Sequence, residues 1–320
     1  MQIPFISSWF ESASLGGDRL VIAPGAHGIC LASIRFNGVM PRVVRCEYHE
    51  TGALTAAALE KLRHEAGLAG HHFTMLLAPG EYQILMVEAP NVPEDELKTA
   101  ARWKIKDSLS YNIDHAMVDV LQIPANQSGP ARVQSIFAIA ASNDVIQKHM
   151  ALFEQAKLKL DVIDIPEMAQ RNIAALLEQE GRVLVLLAFD DSGGLLTFTS
   201  DGELYMSRRL EISARQLQDA NETLREQYRD RVELELQRSL DYFDRQFNHL
   251  PVSRVLISAP DGTGLVEYLT EVMGSKVEKL DLSQALDIGA VPALADSEFV
   301  AHALPALGAA LRREGRGHAS

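Results

Sequence analysis

The sequence predicts an α/β chain of two lobes, each built on a mixed sheet, and three observations carry that expectation. At 320 residues the chain exceeds the size at which single cores begin to split, roughly 250–300 residues. Its 47% hydrophobic and 23% charged content is that of an ordinary globular protein. A pattern of strand, strand, strand, helix, strand, helix then runs through the chain twice.

In the first half, Arg19 to Ala23 and Gly28 to Phe36 read as strands around the turn Pro24-Gly25-Ala26-His27. Val39 to Tyr48 follows Asn37-Gly38, a strong hairpin signature. Thr55 to Ala66 has helical spacing through Leu54, Ala58, Leu59 and Leu62, with Gly67 and Gly70 as stops. Phe73 to Leu77 and Gln83 to Glu88 are apolar enough for interior strands. Pro93 followed by Glu94, Asp95 and Glu96 opens a helix, because proline needs no amide partner there and acids suit the dipole. Leu97, Ala100, Ala101 and Ile105 form its apolar stripe. Met117 to Ile123 and Val133 to Ala141 read as strands around the loop Pro124 to Pro130, and Ser142 caps a helix reaching Leu158.

The second half repeats the order. Asp161 to Ile165 is a strand that leads through Pro166 into a helix to Leu177; Arg182 to Phe189, Leu195 to Ser200 and Glu203 to Leu210 form a second meander. Arg215 to Phe247 reads as one long helix, with Val232, Leu236, Leu240, Phe243 and Phe247 on one face and an Asp241 to Arg245 pair opposite. Val255 to Ser258, Gly264 to Met273 and Val300 to Arg312 complete it as strand, helix and small-residue helix. The expected organisation is an N-terminal segment 1–18, a first lobe 19–160, a second lobe 161–312 and a basic tail 313–320.

Composition narrows the function classes. A formal net charge of −13 disfavours general nucleic-acid binding. No apolar run approaches the roughly 18–20 residues that cross a bilayer, and the N-terminus lacks the basic start and apolar core of an export signal. Cys30 and Cys46 alone build neither a disulfide framework nor a zinc pattern, and fit a reducing cytoplasm as buried thiols. His64-Glu65 and His71-His72 lack metal-ligand spacing, and Asp161, Asp164 and Glu167 read as caps and surface acids. Neither a Gly-x-Ser-x-Gly elbow nor a P-loop occurs. Phe5, Ile6, Trp9 and Phe10 form a small apolar cluster suited to packing on the first lobe or to an interface.

Five stretches point to a family. They are Glu88-Ala89-Pro90 with Glu96-Leu97; Ala101-Arg102-Trp103 to Lys106-Asp107; Ile163-Asp164-Ile165-Pro166-Glu167 with Arg171-Asn172; Glu235 to Tyr242; and Ala306 to Arg312. In this order they resemble the MshI and PilM proteins of type IV pilus biogenesis, including the MSHA pilus, within the actin-like superfamily that also holds sugar kinases and Hsp70. The resemblance implies an actin-like (ribonuclease H-like) bilobal fold with duplicated lobes and a nucleotide site between them. It further implies a cytoplasmic protein, peripheral at the inner membrane, that docks the N-terminal tail of a bitopic PilN-like or MshJ-like partner and communicates with the pilus motor. The docking groove maps to the helix near Ala100 to Ser108, so Trp103, Arg102 and Lys106 are the candidate partner-binding residues, with core packing the alternative for Trp103.

ATP-binding members of that superfamily use glycine-rich elements, since phosphates want close backbone amides and the metal wants a carboxylate. At the first element Ala23 stands where an Asp is expected and Cys30 where a Lys is. At the second, Ala188-Phe189-Asp190 falls on the Asp-Ile-Gly position, and Asp190 and Asp191 substitute only with a register shift. At the third, Ser258 to Gly264 keeps Gly262 and Gly264 but inserts Pro260, which removes an amide. Asp190, Asp191, Gly262 and Gly264 are therefore the residues that would serve a nucleotide. The expectation is a non-enzymatic scaffold with no metal, no catalytic residue and no resident cofactor. The alternatives are a PilM-like ATP switch and, less favoured because of Ala23 and Ala188, a small-molecule kinase.

Overall fold

A computed structural model describes residues 19–36, 38–124, 134–273 and 276–312. The N-terminal cluster of Phe5, Ile6, Trp9 and Phe10, Asn37 of the Asn-Gly turn, most of the Pro124 to Pro130 loop and the basic tail lie outside the described residues.

The chain divides into two compact units, one centred on Ala53–Ile165 and the other on Val21–Gly52 with Pro166–Arg312. The boundary expected at 160 therefore falls five residues later, and the opening meander groups with the C-terminal half. The reason lies in packing, since this meander rests on the last helix: the Tyr48 ring stacks on His302 at 4.6 Å between centroids.

In the unit Ala53–Ile165, α1 (Ala56–Glu65) is capped by Thr55, whose hydroxyl accepts from the Ala58 amide, and it buries Leu59 and Leu62. Strand β4 (His72–Leu76) pairs in parallel with β8 (Lys159–Asp164). A separate antiparallel sheet has the order β5-β7-β6, from β5 (Tyr82–Glu88), β6 (Ala116–Gln122) and β7 (Ser135–Ser142). β5 is thus a half-buried edge strand, not the interior strand its composition suggests. Helix α2 (Glu94–Ile105) opens behind Pro93 with three acids in its first turn and covers this sheet. Leu97 and Ala101 pack with Ile136, and Ile105 with Val118, Ala138 and Ala140. The chain then returns through α3 (Asn143–Gln155), capped by Ser142.

α3 also fixes the β4–β5 turn. His149 is buried and its Nε2 donates to Glu81 Oε1 at 2.8 Å, while the Ala78 amide donates to Glu81 Oε2 at 2.9 Å. Burial pushes the Glu81 carboxyl up, but these bonds outweigh it and leave its pKa below the usual value. A lowered acid stabilises the fold above its unfolded pKa and loses that contribution as pH falls through the folded one. Glu81→Gln is expected to cost about 1.5 kcal/mol at neutral pH. In urea denaturation the gap to wild type should close on acidification below 4.5; a gap independent of pH would show that the carboxylate's charge plays no part.

In the other unit, β1 (Leu20–Pro24), β2 (Gly28–Arg35) and β3 (Arg42–Glu50) form an antiparallel ribbon. β3 starts at Arg42, not Val39, and Arg35 pairs with Arg42 across a wider loop. Pro41 has no amide to give a tight ladder. The segment at Asp287 takes the vacant positions instead, donating to Pro41 O and accepting from the Val43 amide, each at 2.9 Å. The second sheet has the order β11-β10-β9-β12-β13, from β9 (Val183–Asp190), β10 (Gly193–Ser200), β11 (Glu203–Leu210), β12 (Val252–Ser258) and β13 (Val277–Lys279). An antiparallel meander followed by a parallel pair therefore occurs twice in the chain, as duplicated lobes require.

Helix α4 (Pro166–Ala174) is pinned to this sheet by Gln170, whose buried amide donates to Leu186 O, Leu195 O and Thr197 Oγ1 at 2.7–3.0 Å. The helix expected from Arg215 to Phe247 is two, α5 (Ala214–Leu217) and α6 (Glu222–Gln246). Ser213 and Gln216 make a capping box for the first, and Asn221 caps the second, so a local start interrupts the run. Val232, Leu236 and Phe243 bury the expected stripe, and Phe243 stacks on Phe198 at 4.7 Å. Arg245 donates to the Asp241 carbonyl, not to its carboxylate. α7 (Leu265–Met273) and α8 (Ser297–Ala310) complete the unit. Among the described residues no helix is long and apolar enough to cross a membrane.

Candidate functional site

Two hairpins and the last helix converge on a small cavity inside the unit of Val21–Gly52 and Pro166–Arg312. It is lined by Ala23, Pro24, Gly25, Ala26, Cys30 and Tyr48 of the first meander, by Asp190, Asp191 and Ser192, and by Ala301, His302 and Pro305 of α8. On the first hairpin Ala23 pairs directly with Cys30. Gly28 is obligatory there, because a Cβ would lie 2.3 Å from His49 O and 2.9 Å from the Tyr48 ring. The Tyr48 ring stacks on His302 at 4.6 Å between centroids, and both line the cavity.

The second hairpin turns in two residues, since Asp190 pairs with Gly193 across Asp191-Ser192. Asp190 Oδ1 accepts from the Ser192 amide at 2.6 Å. Gly193, with φ +132, takes a conformation that a side chain rarely adopts, and its Cβ would meet Leu210 O at 2.6 Å. The two acids read from the sequence are therefore brought together with Ala23 and Cys30.

The electrostatics are those of a partly dried acid pair. Burial raises the Asp190 carboxyl above its usual pKa, against the pull of the Ser192 amide and Arg209, and the neighbouring Asp191 adds to the rise. The Tyr48 hydroxyl is also raised, by burial and then by Asp191. Beside Asp191, His27 Nε2 lies 3.8 Å from Asp191 Oδ2 and 2.9 Å from Arg215 Nη2. The Cys30 thiol is held well above its ordinary pKa, first by Cys46, whose Sγ is 3.9 Å away, and then by burial. It is accordingly a poor nucleophile.

The cavity fits a magnesium triphosphate badly. Its volume is about 20 Å³, room for little more than one water. The first hairpin offers Ala23 where a metal-organising carboxylate is needed, and no lysine lines the cavity. Gly262 and Gly264 do not line it either. They take positive φ, +79 and +63, in the loop after β12. That loop is engaged by the chain's own groups: the Asp261 amide donates to Ser297 Oγ at 2.8 Å and its carboxylate meets Lys279 Nζ at 2.5 Å.

The remaining candidates lie elsewhere. Trp103 is 62% exposed on α2, which excludes the core-packing alternative, and Lys106 is exposed beyond it. Arg102 is spent on its own unit, donating to Ala116 O at 2.9 Å and to Ile113 O. The three acids read as surface caps are placed differently. Asp161 pairs with His72 at 2.7 Å, but Asp164 and Glu167 are fully buried. Asp164 accepts from the Ile165 amide and Glu167 pairs with Arg209 at 3.2 Å. Among the described residues no cluster of three or more His, Cys, Asp or Glu side chains is arranged to hold a metal. The sequence reading missed Tyr48 and His302 of the cavity lining, which no local pattern marks.

Among solved structures, a chain of the PilM-PilN type IV pilus biogenesis complex superposes on 92% of this chain and 98% of its own length, with a TM-score of 0.75 at 18% identity. The fold is actin-like. Looser matches are the cytoplasmic domain of EpsL, an inner-membrane component of the type II secretion system of Vibrio cholerae (TM-score 0.47, 12% identity, 76% of this chain and 83% of that one), and a Bacteroides thetaiotaomicron protein with an actin-like ATPase fold (0.48, 12%, 85% and 93%). Neither is close enough to carry argument. No protein-family profile matches the chain, and no curated protein matches it. In the actin-like frame, the β1–β2 and β9–β10 hairpins are the two elements assigned to phosphate by the resemblance, and here both face the same 20 Å³ cavity.

Proposed function

We propose that this chain is a non-enzymatic actin-like scaffold of type IV pilus assembly, of the MSHA kind. In this reading it works in the cytoplasm at the inner membrane, docks the cytoplasmic tail of a bitopic PilN-like or MshJ-like protein and connects it to the pilus motor. The observation that carries the reading is the superposition on nearly the full length of a chain from a PilM-PilN complex. The exposed Trp103 with Lys104 and Lys106 supports a contact face on α2, because a desolvated aromatic flanked by charge is a common binding anchor. The absence of enzymatic activity is supported by Ala23 and by the small cavity.

Calorimetry separates this scaffold from an ATP-driven switch. Titration of Mg-ATP into the full chain is expected to give no binding heat, whereas saturable micromolar binding abolished by Asp190→Asn with Asp191→Asn would establish the switch. A synthetic peptide of the bitopic partner's cytoplasmic tail is expected to bind, and Trp103→Ala to weaken it at least tenfold. A peptide that fails to bind the wild-type chain overturns the docking role.

A further inference from the structure

The chain has two cysteines in 320 residues, and the fold sets their sulfurs 3.9 Å apart. Both are buried, Cys30 on β2 and Cys46 on β3. Their surroundings are small. Cys30 stands opposite Ala23 of β1 and Cys46 opposite Ala32 of β2, so each thiol meets a methyl group where a larger side chain would fill the space. Cys30 also lines the 20 Å³ cavity, so one sulfur borders space that a body of about water's size can occupy. The register disfavours a disulfide. Cys30 pairs with Tyr48 and Cys46 with Ala32, which makes the two cysteines diagonal neighbours. Diagonal positions lie about 7–8 Å apart, beyond the roughly 4.4–6.8 Å between the Cα atoms of a disulfide. A bridging ion suits the pair better, since two metal–sulfur bonds of about 2.3 Å span the observed gap at an angle of about 115°.

We propose that Cys30 and Cys46 form a two-coordinate site for a soft monovalent cation of the Cu(I) class. The type and number of ligands choose the ion. Thiolates favour soft ions such as Cu(I), whereas Zn(II) takes four ligands. Among the described residues no group of three or more His, Cys, Asp or Glu side chains is arranged to hold a metal. Without the ion, Cys46 and then burial hold the Cys30 thiol in its protonated form. Binding reverses this: both thiols release their protons to water, each sulfur gives one electron pair to the ion, and the ion keeps its oxidation state. The bridge would tie β2 to β3 beside the stacked Tyr48 and His302. The assignment is independent of the scaffold reading, which gives the chain no metal.

Anaerobic titration of the reduced full chain with Cu(I), supplied as its bicinchoninate complex, is the test. Wild type is expected to take one equivalent of copper from the chelator, to gain thiolate-to-copper absorption in the near ultraviolet and to melt at a higher temperature. Cys30→Ala and Cys46→Ala should each weaken binding at least a hundredfold, with circular dichroism confirming that they fold. Zn(II) should leave the melting temperature unchanged. Thiol labelling in mild denaturant needs no variant, and there copper should protect both cysteines from N-ethylmaleimide. Four outcomes overturn the assignment: wild type that leaves the copper with the chelator; either alanine variant competing as well as wild type, which moves the copper to other groups; copper that protects neither cysteine; or a larger thermal shift with Zn(II) than with Cu(I). The Mg-ATP and tail-peptide titrations contain no copper, so any of these leaves the scaffold reading standing.

Discussion

Gly308→Ala is expected to destabilise the chain by about 3 kcal/mol, although alanine is the better helix former. In an ordinary helix interior the change would gain about 1 kcal/mol, so local propensity alone predicts the opposite sign. Packing reverses it. A Cβ on Gly308 would lie 2.1 Å from Ala169 O, 2.5 Å from its carbonyl carbon and 3.0 Å from its Cα, all backbone atoms that cannot rotate aside. α8 therefore crosses α4 with backbone against backbone, and Asn172 Nδ2 donates to Gly308 O at 2.9 Å in the same contact. Separating the helices would break that bond and open the layer of buried Ala306, Leu307 and Ala309. Urea denaturation followed by both circular dichroism and tryptophan fluorescence measures the effect without assuming that the two units unfold together. Ala310→Gly, one turn end away and half-buried, should cost only about 1 kcal/mol. A neutral or stabilising Gly308→Ala would refute the close crossing.

This contact joins two stretches that marked the family resemblance, Arg171-Asn172 and Ala306 to Arg312, and it explains why so plain a run of small residues is informative. The sequence made legible whatever rests on local rules. Pro93 with three following acids opened α2, Thr55 and Ser142 capped their helices, and the β10–β11 hairpin fell where Asp201-Gly202 placed it. Asp201 and Gly202 both take positive φ there. One open alternative and one miss were also local. Trp103 lies off the Leu97, Ala101, Ile105 stripe, so the helical period alone turns it outward. Asn221, whose side chain accepts from the Thr223 and Leu224 amides, spelled a new helix start inside the run read as one helix. Other misses were beyond any local rule. The start of β3 depends on Asp287, more than 240 residues away, and the cavity walls Tyr48 and His302 meet across a similar separation. Buried Glu167 passed for a surface acid because its partner Arg209 is more than 40 residues away, and Asp164 because its burial comes from tertiary packing.

Glu167 gives the second large effect. Its carboxylate is 1% exposed and is paired with Arg209, whose side chain is 36% exposed, at 3.2 Å. Removing one partner of such a pair leaves a charge that water reaches poorly, and breaking buried pairs costs about 3–5 kcal/mol. Partial exposure of the guanidinium screens the interaction, so Arg209→Met is expected at the low end, about 3 kcal/mol. Glu167→Gln with Arg209→Met should recover most of the loss, since the hydrocarbon of Met covers the same surface and no charge is left behind. The cavity reports on the same change. Arg209 is one of the groups pulling the Asp190 pKa down against burial, so its removal raises that acid further. A raised acid opposes folding once pH exceeds its unfolded value, here 3.8, and the opposition is complete above the folded value. The deficit of Arg209→Met should therefore be full at neutral pH and shrink as pH falls toward 3.8. Denaturation curves across that range, with Arg208→Met as the control on the neighbouring exposed arginine, measure it. A deficit that stays constant on acidification would mean that Arg209 acts through packing alone.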